Sequence, residues 1–364
     1  MELHAVLEKM VEMGASDLHI RVGRPPTLRI RGNLEALDHP PLKPEETSAA
    51  AESLMNKAQK DYFEKNLSVD IGKTLPGVAR FRANIFRQRG SISIVFRNIA
   101  AQIPSIESLG LPQVIKQFCQ KRQGLLLVTG PTGSGKSTTL ATMTQYINET
   151  QNVHLITIED PIEFLFKDAM ATISQREVGV DTPNFPEALK NALRQDPDII
   201  LVGEMRDLEA ISTAITASET GHLIFSTLHT NNASETISRI VDVFPGNQQE
   251  QVRIQLGNNL LGVLSQRLVP KIDGNGLIAA VEIMINTPKI RTLIIDNRIG
   301  DIMDEIESSV TYFRMQSLEQ SLLALVCNKM ISIEAAETHC NRHGELKRLL
   351  NKFGIQKDSD DLKI

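Results

Sequence analysis

Tryptophan is absent and tyrosine occurs three times in 364 residues, which leaves few flat rings on which nucleic-acid bases could stack. Basic charge is not in excess either. The formal net charge is -5, so no global positive field invites a polyanion, and direct nucleic-acid binding is not expected. The three cysteines, Cys119, Cys327 and Cys340, are scattered and form no CxxC pair. That excludes a tetracysteine metal site and fits reduced thiols in a cytosolic protein. The start, Met1-Glu-Leu-His-Ala, has no basic region followed by an apolar core, so no signal peptide is expected. No apolar run approaches the roughly eighteen residues of a membrane span. What remains is a globular composition, 41% hydrophobic and 23% charged, at a length suited to two or three domains.

Within it, eight residues stand out: Gly130, Pro131, Thr132, Gly133, Ser134, Gly135, Lys136 and Ser137. They follow the apolar run Gly124–Thr129 and precede Thr138-Thr-Leu-Ala-Thr-Met. Strand, GxxxxGK[ST] loop and helix together make the phosphate-binding loop of nucleotide hydrolases. Successive loop amides surround phosphate oxygens, and the helix N-terminus favours negative charge. Lys136 is expected at the β- and γ-phosphates. Ser137 is expected on Mg²⁺, with Thr138 as its neighbour. ATP and Mg²⁺ are therefore the expected ligands.

Around this loop, apolar runs at 125–129, 154–158, 199–203 and 222–226 alternate with helical spacing. Such alternation predicts a mainly parallel, three-layer α/β domain. Beyond about residue 286 the pattern is helical, at 288–296, 299–307, 315–328, 331–341 and 343–352. The final segment, 357–363, is expected to fray. The first hundred residues read as a small α/β domain. It has a helix over the first 13 residues, strands near 16–21 and 27–31, a helix from about 45 to 66, and a hairpin of strands 80–86 and 91–97. The expected division is an N-terminal domain over 1–98, a linker over 99–111, and a nucleotide domain over 112–364 with its C-terminal helices at about 287–357.

Two strands end in acids. Asp198–Gly203 leads to Glu204, which is assigned as general base, with a water-mediated approach to Mg²⁺ as a second role; a solvent-exposed strand cap is the plainer alternative. Arg206 and Asp207 fit a structural pair beside it. Glu159, Asp160 and Glu163 place three carboxylates within five residues. These repel one another unless exposed, paired or near a cation, so Glu163 is expected near the attacking water or the metal, with a turn of surface acids as the plainer alternative. His222 begins a strand and His229 follows it, in a polar cluster fit to sense a γ-phosphate and relay its loss. Each histidine alone also fits a structural role. Arg80, Arg82, Arg87, Arg89 and Arg97 lie on or beside the hairpin, either as a solvated basic face or as charge for a transferring phosphoryl group. Arg24, Arg29 and Arg31 fit an interface.

Taken in order, these segments resemble the PilT-type retraction ATPases of type IV pili, within the type II/IV secretion ATPase superfamily. The likeness rests on Gly14-Ala-Ser-Asp-Leu-His-Ile20, Ala79-Arg-Phe-Arg-Ala-Asn84, the phosphate loop, Thr157–Glu163, Asp196–Asp207 and Gly221–His229. It implies a homo-hexameric cytoplasmic motor in which each chain has a PAS-like N-terminal domain and a RecA-like ATPase domain. It further implies an Asp box of Glu159, Asp160 and Glu163, a Walker B Glu204, and a His box ending in His222 and His229. Arg82 and Arg97 are the implied N-domain arginines that close on ATP, with Arg80 as a third. The implied partner is the pilus platform protein at the inner membrane, where the motor would sit peripherally. The short N-terminal region and the lack of a tetracysteine site favour the retraction branch over the assembly and secretion branches. The branch's C-terminal AIRNLIRE-like element appears as Pro288–Asp296 with Arg291, Leu293 and Ile294 kept and the later basic-acidic pair altered. An accessory PilU-like subunit that works beside a paralogous retraction ATPase is the neighbouring alternative, and a nucleic-acid translocase is a more distant one.

Overall fold

The computed structural model describes residues 2–30, 32–76, 78–99, 102–205 and 207–355. Arg31, Arg206 and the segment expected to fray lie outside them. The chain forms two compact units. The first comprises Met1–Ile103 with Glu159–Phe166 and Glu177–Asp181. The second comprises Pro104–Ile158, Lys167–Arg176 and Thr182–Ile364.

In the first unit α1 (Leu3–Glu12) leads to β1 (Asp17–Ile20), β2 (Thr27–Ile30) and β3 (Asn33–Ala36). Helices α2 (Pro44–Leu54) and α3 (Lys57–Asn66) follow, then β4 (Ser68–Leu75), β5 (Ala79–Gln88) and β6 (Ser91–Ile99). The six strands form one antiparallel sheet in the order β3-β2-β1-β6-β5-β4. Along β5, Phe81, Ala83 and Ile85 are buried while Arg80, Arg82 and Asn84 alternate with them. That period of two gives the sheet one apolar face. Phe81 meets Phe96 edge-on, with ring centroids 6.3 Å apart.

The single helix expected over 45–66 is two. Asn56 accepts from the Gln59 amide at 2.9 Å, and the Gln59 side chain accepts from the Asn56 amide at 2.9 Å. This reciprocal capping box starts a new helix and outweighs the helical spacing that runs through it. Strands β3 and β4 were also absent from the sequence reading.

The second unit has α4 (Val114–Cys119), β7 (Gly124–Thr129), α5 (Lys136–Thr150), β8 (His154–Glu159), β9 (Thr172–Glu177), α6 (Phe185–Ala192), β10 (Ile199–Val202), α7 (Leu208–Glu219) and β11 (Leu223–Leu228). Next come α8 (Ala233–Asp242), α9 (Gln249–Asn259), β12 (Leu260–Pro270) and β13 (Leu277–Ile285). The C-terminal part is helical: α10 (Pro288–Ile295), α11 (Ile302–Ser308), α12 (Val310–Phe313), α13 (Leu318–Cys327), α14 (Ile333–His339) and α15 (His343–Lys352).

The seven-stranded sheet runs β13-β12-β7-β11-β10-β8-β9. Strands β12, β7, β11, β10 and β8 are parallel, and β13 closes one edge antiparallel. Every residue of β7, β10 and β11 is buried, as in a sheet covered on both faces. This mixed α/β architecture with a helical C-terminal part is the expected fold class. Strands β9, β12 and β13 were not expected. In β12 the polar triplet Ser265-Gln266-Arg267 interrupts the apolar run that would have marked a strand.

Candidate nucleotide site

The parallel strands carry the site at their carboxyl ends. Where β7 stops, Gly130, Gly133 and Gly135 take positive φ angles of 143°, 79° and 87°, which L side chains rarely adopt. At Gly130 space forbids a side chain as well: a Cβ would lie 2.4 Å from the Gln266 carbonyl oxygen and 2.6 Å from Ser134 Oγ. Lys136 opens α5 and its Nζ donates to the carbonyls of Gly130 (2.9 Å) and Pro131 (3.0 Å). Pro131, Thr132, Gly133 and Ser137 are exposed, and Thr138 is half-buried. Ser134 is buried and its Oγ has no hydrogen-bond partner.

The loop is held from behind by β12, which sequence reasoning missed. Gln266 Nε2 donates to the Ser134 carbonyl at 2.8 Å, and Thr139 Oγ1 donates to Gln266 Oε1 at 3.0 Å. One strand position earlier, Thr129 Oγ1 donates to Ser265 Oγ at 2.9 Å. Gln266 is buried, so its amide rigidly fixes the loop's distance from the first turn of α5. The signal in the sequence was that polar triplet within an apolar stretch.

Glu204 stands two residues beyond β10, and His229 one residue beyond β11. Glu204 Oε1 and His229 Nε2 are 3.3 Å apart. Side-chain ties across the two strand ends keep them there. Thr227 Oγ1 donates to the Gly203 carbonyl at 2.6 Å and Ser226 Oγ to the Val202 carbonyl at 2.8 Å. Because β11 lies between β7 and β10, Glu204 is displaced from the β7 end by two strand spacings, roughly 10 Å. That span accommodates a terminal phosphate and a water. Asp207 accepts from the Ala210 amide at 2.8 Å and caps α7; its expected partner, Arg206, lies outside the described residues.

His222 is not brought to this edge. It precedes β11 at the amino end, where its carbonyl accepts from the Gly124 amide at 3.0 Å and its Nδ1 lies 3.1 Å from the Ala217 carbonyl. The length of the strand, roughly 20 Å, separates it from His229. At this position His222 secures the turn between α7 and β11, apart from the Glu204–His229 pair of its own chain.

Glu159, Asp160 and Glu163 fall in the first unit, where the Glu163 amide donates to Glu159 Oε2 at 3.3 Å. Asp160-Pro161 is a cis peptide. Arg80 belongs to the same unit and is committed locally. It forms an ion pair with Glu177, donates from Nε to the Ile162 carbonyl at 3.1 Å, and donates from Nη1 to Thr74 Oγ1 at 2.9 Å. A Cβ on Gly72 would lie 2.4 Å from Arg80 Nη2, so the pair fills the space that glycine leaves. Arg82 and Arg97 face each other across β5 and β6. Each has a carboxylate: Arg82 Nε is 3.4 Å from Asp70, and Arg97 Nε is 2.9 Å from Asp17, which also lies 3.9 Å from Arg29. Arg97 is 71% exposed and Arg82 is 42% exposed, so both retain solvent-facing guanidinium edges.

Beside the phosphate loop lies a cavity of about 320 Å³, lined by Gly110, Thr138, Gln266, Leu268, Leu277 and Met330 among others. Its walls are largely apolar, as suits an aromatic ring. Among the described residues no cluster of His, Cys, Asp and Glu forms a metal site of its own. No helix among them is long and apolar enough to cross a membrane.

Behind the His229 loop, buried Glu282 on β13 accepts from the Ala233 amide at 2.7 Å. Burial pushes its carboxyl up from 4.5 to about 7; the Ala233 hydrogen bond opposes this, Glu319 and Glu307 add to it, and Arg342 opposes it. The folded chain thus holds this proton more tightly than the unfolded chain. Its contribution to stability is complete below pH 4.5 and is lost as pH rises to about 7. The loss is on the order of 3 kcal/mol, at about 1.4 per pKa unit. Glu282→Gln should flatten this dependence. Melting curves at pH 5 and pH 8 should show the variant gaining on wild type at the higher pH; an unchanged difference would refute the assignment.

The geometry fits what related sequences and structures are known to be. Residues 1–289 match the model of the family described as Type II/IV secretion system protein. The chain is 47% identical over 336 residues to the type IV pilus retraction ATPase PilT of Pseudomonas aeruginosa, covering 92% of this chain and 97% of that protein. It is 39% identical to the type IV pilus ATPase PilU of the same organism, covering 100% and 94%. A crystal structure of the pilus retraction motor PilT with bound ADP superposes with a TM-score of 0.89 at 47% identity, over 96% of this chain and 99% of that one. The chain belongs to the type II/IV secretion system protein family.

Proposed function

We propose that this protein is a Mg²⁺-dependent ATPase that assembles as a homo-hexamer and drives type IV pilus retraction, withdrawing pilin at the inner-membrane platform. The observation that carries the reading is the conjunction of the rigidly held phosphate loop with the Glu204–His229 pair on the same sheet edge. In this reading Gly130–Thr138 bind the triphosphate, Lys136 neutralises its β- and γ-oxygens, and the apolar cavity takes the adenine. The exposed Ser137 hydroxyl supplies the hard oxygen donor that Mg²⁺ prefers, with Glu204 acting through water. Bound Mg²⁺ supplies charge neutralisation at the phosphates. Glu204 orients and deprotonates the attacking water, and His229 fixes the carboxylate. Arg82 and Arg97 are assigned to stabilise charge on the transferred group and Glu163 to act near the attacking water or the metal, while His222, Glu159 and Asp160 are assigned to γ-phosphate sensing or interdomain coupling. The domain division at about residues 99–111 belongs to the same proposal, as does a cytoplasmic location at the pilus base.

A deletion strain complemented with this gene should recover pilus retraction and twitching, and Lys136→Ala should not. Lys136→Ala protein should also lose ATP turnover in vitro, measured by phosphate release. Equal rescue by both would end the reading. A second reading, an accessory subunit beside a paralogous motor, is favoured by the end-to-end likeness to PilU. Rescue that depends on the presence of a second retraction ATPase would select it. A nucleic-acid translocase is disfavoured by the net charge of -5.

A further inference from the structure

Strand β12 does more than brace the phosphate loop. Side chains alternate along a strand, so Gln266 faces the loop and Arg267 faces the other way. Arg267 reaches three partners: the His339 carbonyl at 3.2 Å, Asn341 Oδ1 at 2.6 Å and Asn231 Oδ1 at 3.3 Å. Asn341 Nδ2 in turn donates to the Asn231 carbonyl at 3.4 Å. Asn231 is two residues beyond His229, the histidine in contact with Glu204.

The far end of this chain of contacts is anchored in the C-terminal helices. The amides of Asn341 and Arg342 both donate to Glu319 Oε1, at 3.1 and 2.9 Å. Arg342 also pairs with Glu319 at 2.9 Å and with Glu307 on α11. Glu319 is 1% exposed, so this anchor is desolvated and its geometry tightly constrained. The near end is equally restrained: the Asn231 amide donates to Glu235 at 2.8 Å, and Thr230 and Thr236 share a hydrogen bond of 2.7 Å.

We propose that Arg267 and Asn341 are positioning residues that hold the loop carrying His229 in register with Glu204, and so couple the turn between α14 and α15 to hydrolysis. Movement of the C-terminal helices would be felt at Glu204 through Asn341, Asn231 and His229. A change at the phosphates would travel outward through Ser134, Gln266 and the adjoining Arg267. The inference rests on the ATPase reading above.

Asn341 is exposed, so Asn341→Ala should fold. In the full-length protein it should leave the KM for ATP within about twofold and lower kcat roughly tenfold. Melting temperature should stay within a few degrees of wild type. Arg267→Lys, which keeps the charge but not the fork, should fall between the two. In a His229→Ala background Asn341→Ala should cost nothing further, because both act through the same group. An unchanged kcat for Asn341→Ala beside an active wild type overturns this inference alone, as does a loss that multiplies with that of His229→Ala. A wild type without Mg²⁺-dependent turnover overturns the ATPase reading and this inference with it.

Discussion

Glu204→Gln should retain ATP binding within about twofold while lowering kcat by roughly 10² to 10⁴, the range for loss of a positioned general base. Glutamine keeps the size of the side chain and an acceptor oxygen, so the strand ends tied by Thr227 and Ser226 should not move. What it loses is the ability to take a proton from water and to carry the negative charge that faces His229 at 3.3 Å. Fluorescent-nucleotide titration and steady-state phosphate release separate the two effects. Hydrolysis near the wild-type rate would remove Glu204 from the chemistry and leave it as a strand cap. Weakened binding with unchanged kcat would place it instead on the metal or the ground-state phosphates.

Arg80→Met should destabilise the protein by about 3–5 kcal/mol, the cost of leaving a buried charge without its partner. The ion-paired side chains of Arg80 and Glu177 are 11% and 6% exposed, and Glu177 Oε2 also accepts from the Ile162 amide at 3.2 Å. Methionine would strand that carboxylate and release the Ile162 carbonyl, loosening the turn that carries Asp160 and Glu163. Arg82 is only two residues away and on the same face of β5, yet its pair with Asp70 is close to half exposed. Arg82→Ala should therefore change stability by less than about 1 kcal/mol. Denaturant melts of the two variants, set beside their kcat values, separate a structural arginine from one held for the nucleotide. Little loss of stability in Arg80→Met, with a large loss of kcat, would restore Arg80 as a charge donor.

The phosphate loop was legible because its requirements are local. A buried strand, glycines that need positive φ, a lysine and a hydroxyl within eight residues, and an amphipathic start to the next helix all sit on one stretch of chain. The acidic strand ends were legible for the same reason, since an apolar run followed by Gly-Glu marks where a parallel strand stops. The hairpin of β5 and β6 announced itself by alternation. Harder cases turned on signals of short range that were overridden. The helix expected over 45–66 is broken at Asn56, where the capping box with Gln59 outweighs continuous spacing. Strand β12 was hidden because its buried polar residues serve the loop rather than the core.

By itself, then, the sequence determined the fold class, the nucleotide loop and the acid at the end of β10, because short segments specify each of these. Tertiary structure decided what surrounds them. The order β12-β7-β11-β10 sets Gln266 behind the loop and His229 beside Glu204, while the length of β11 carries His222 away. By strand alternation alone Arg80 and Arg82 look alike in the chain. They differ because one meets Glu177, 97 residues along, in a space that Gly72 leaves open. Which residues become neighbours across such distances depends on strand order and register, and no local pattern encodes them.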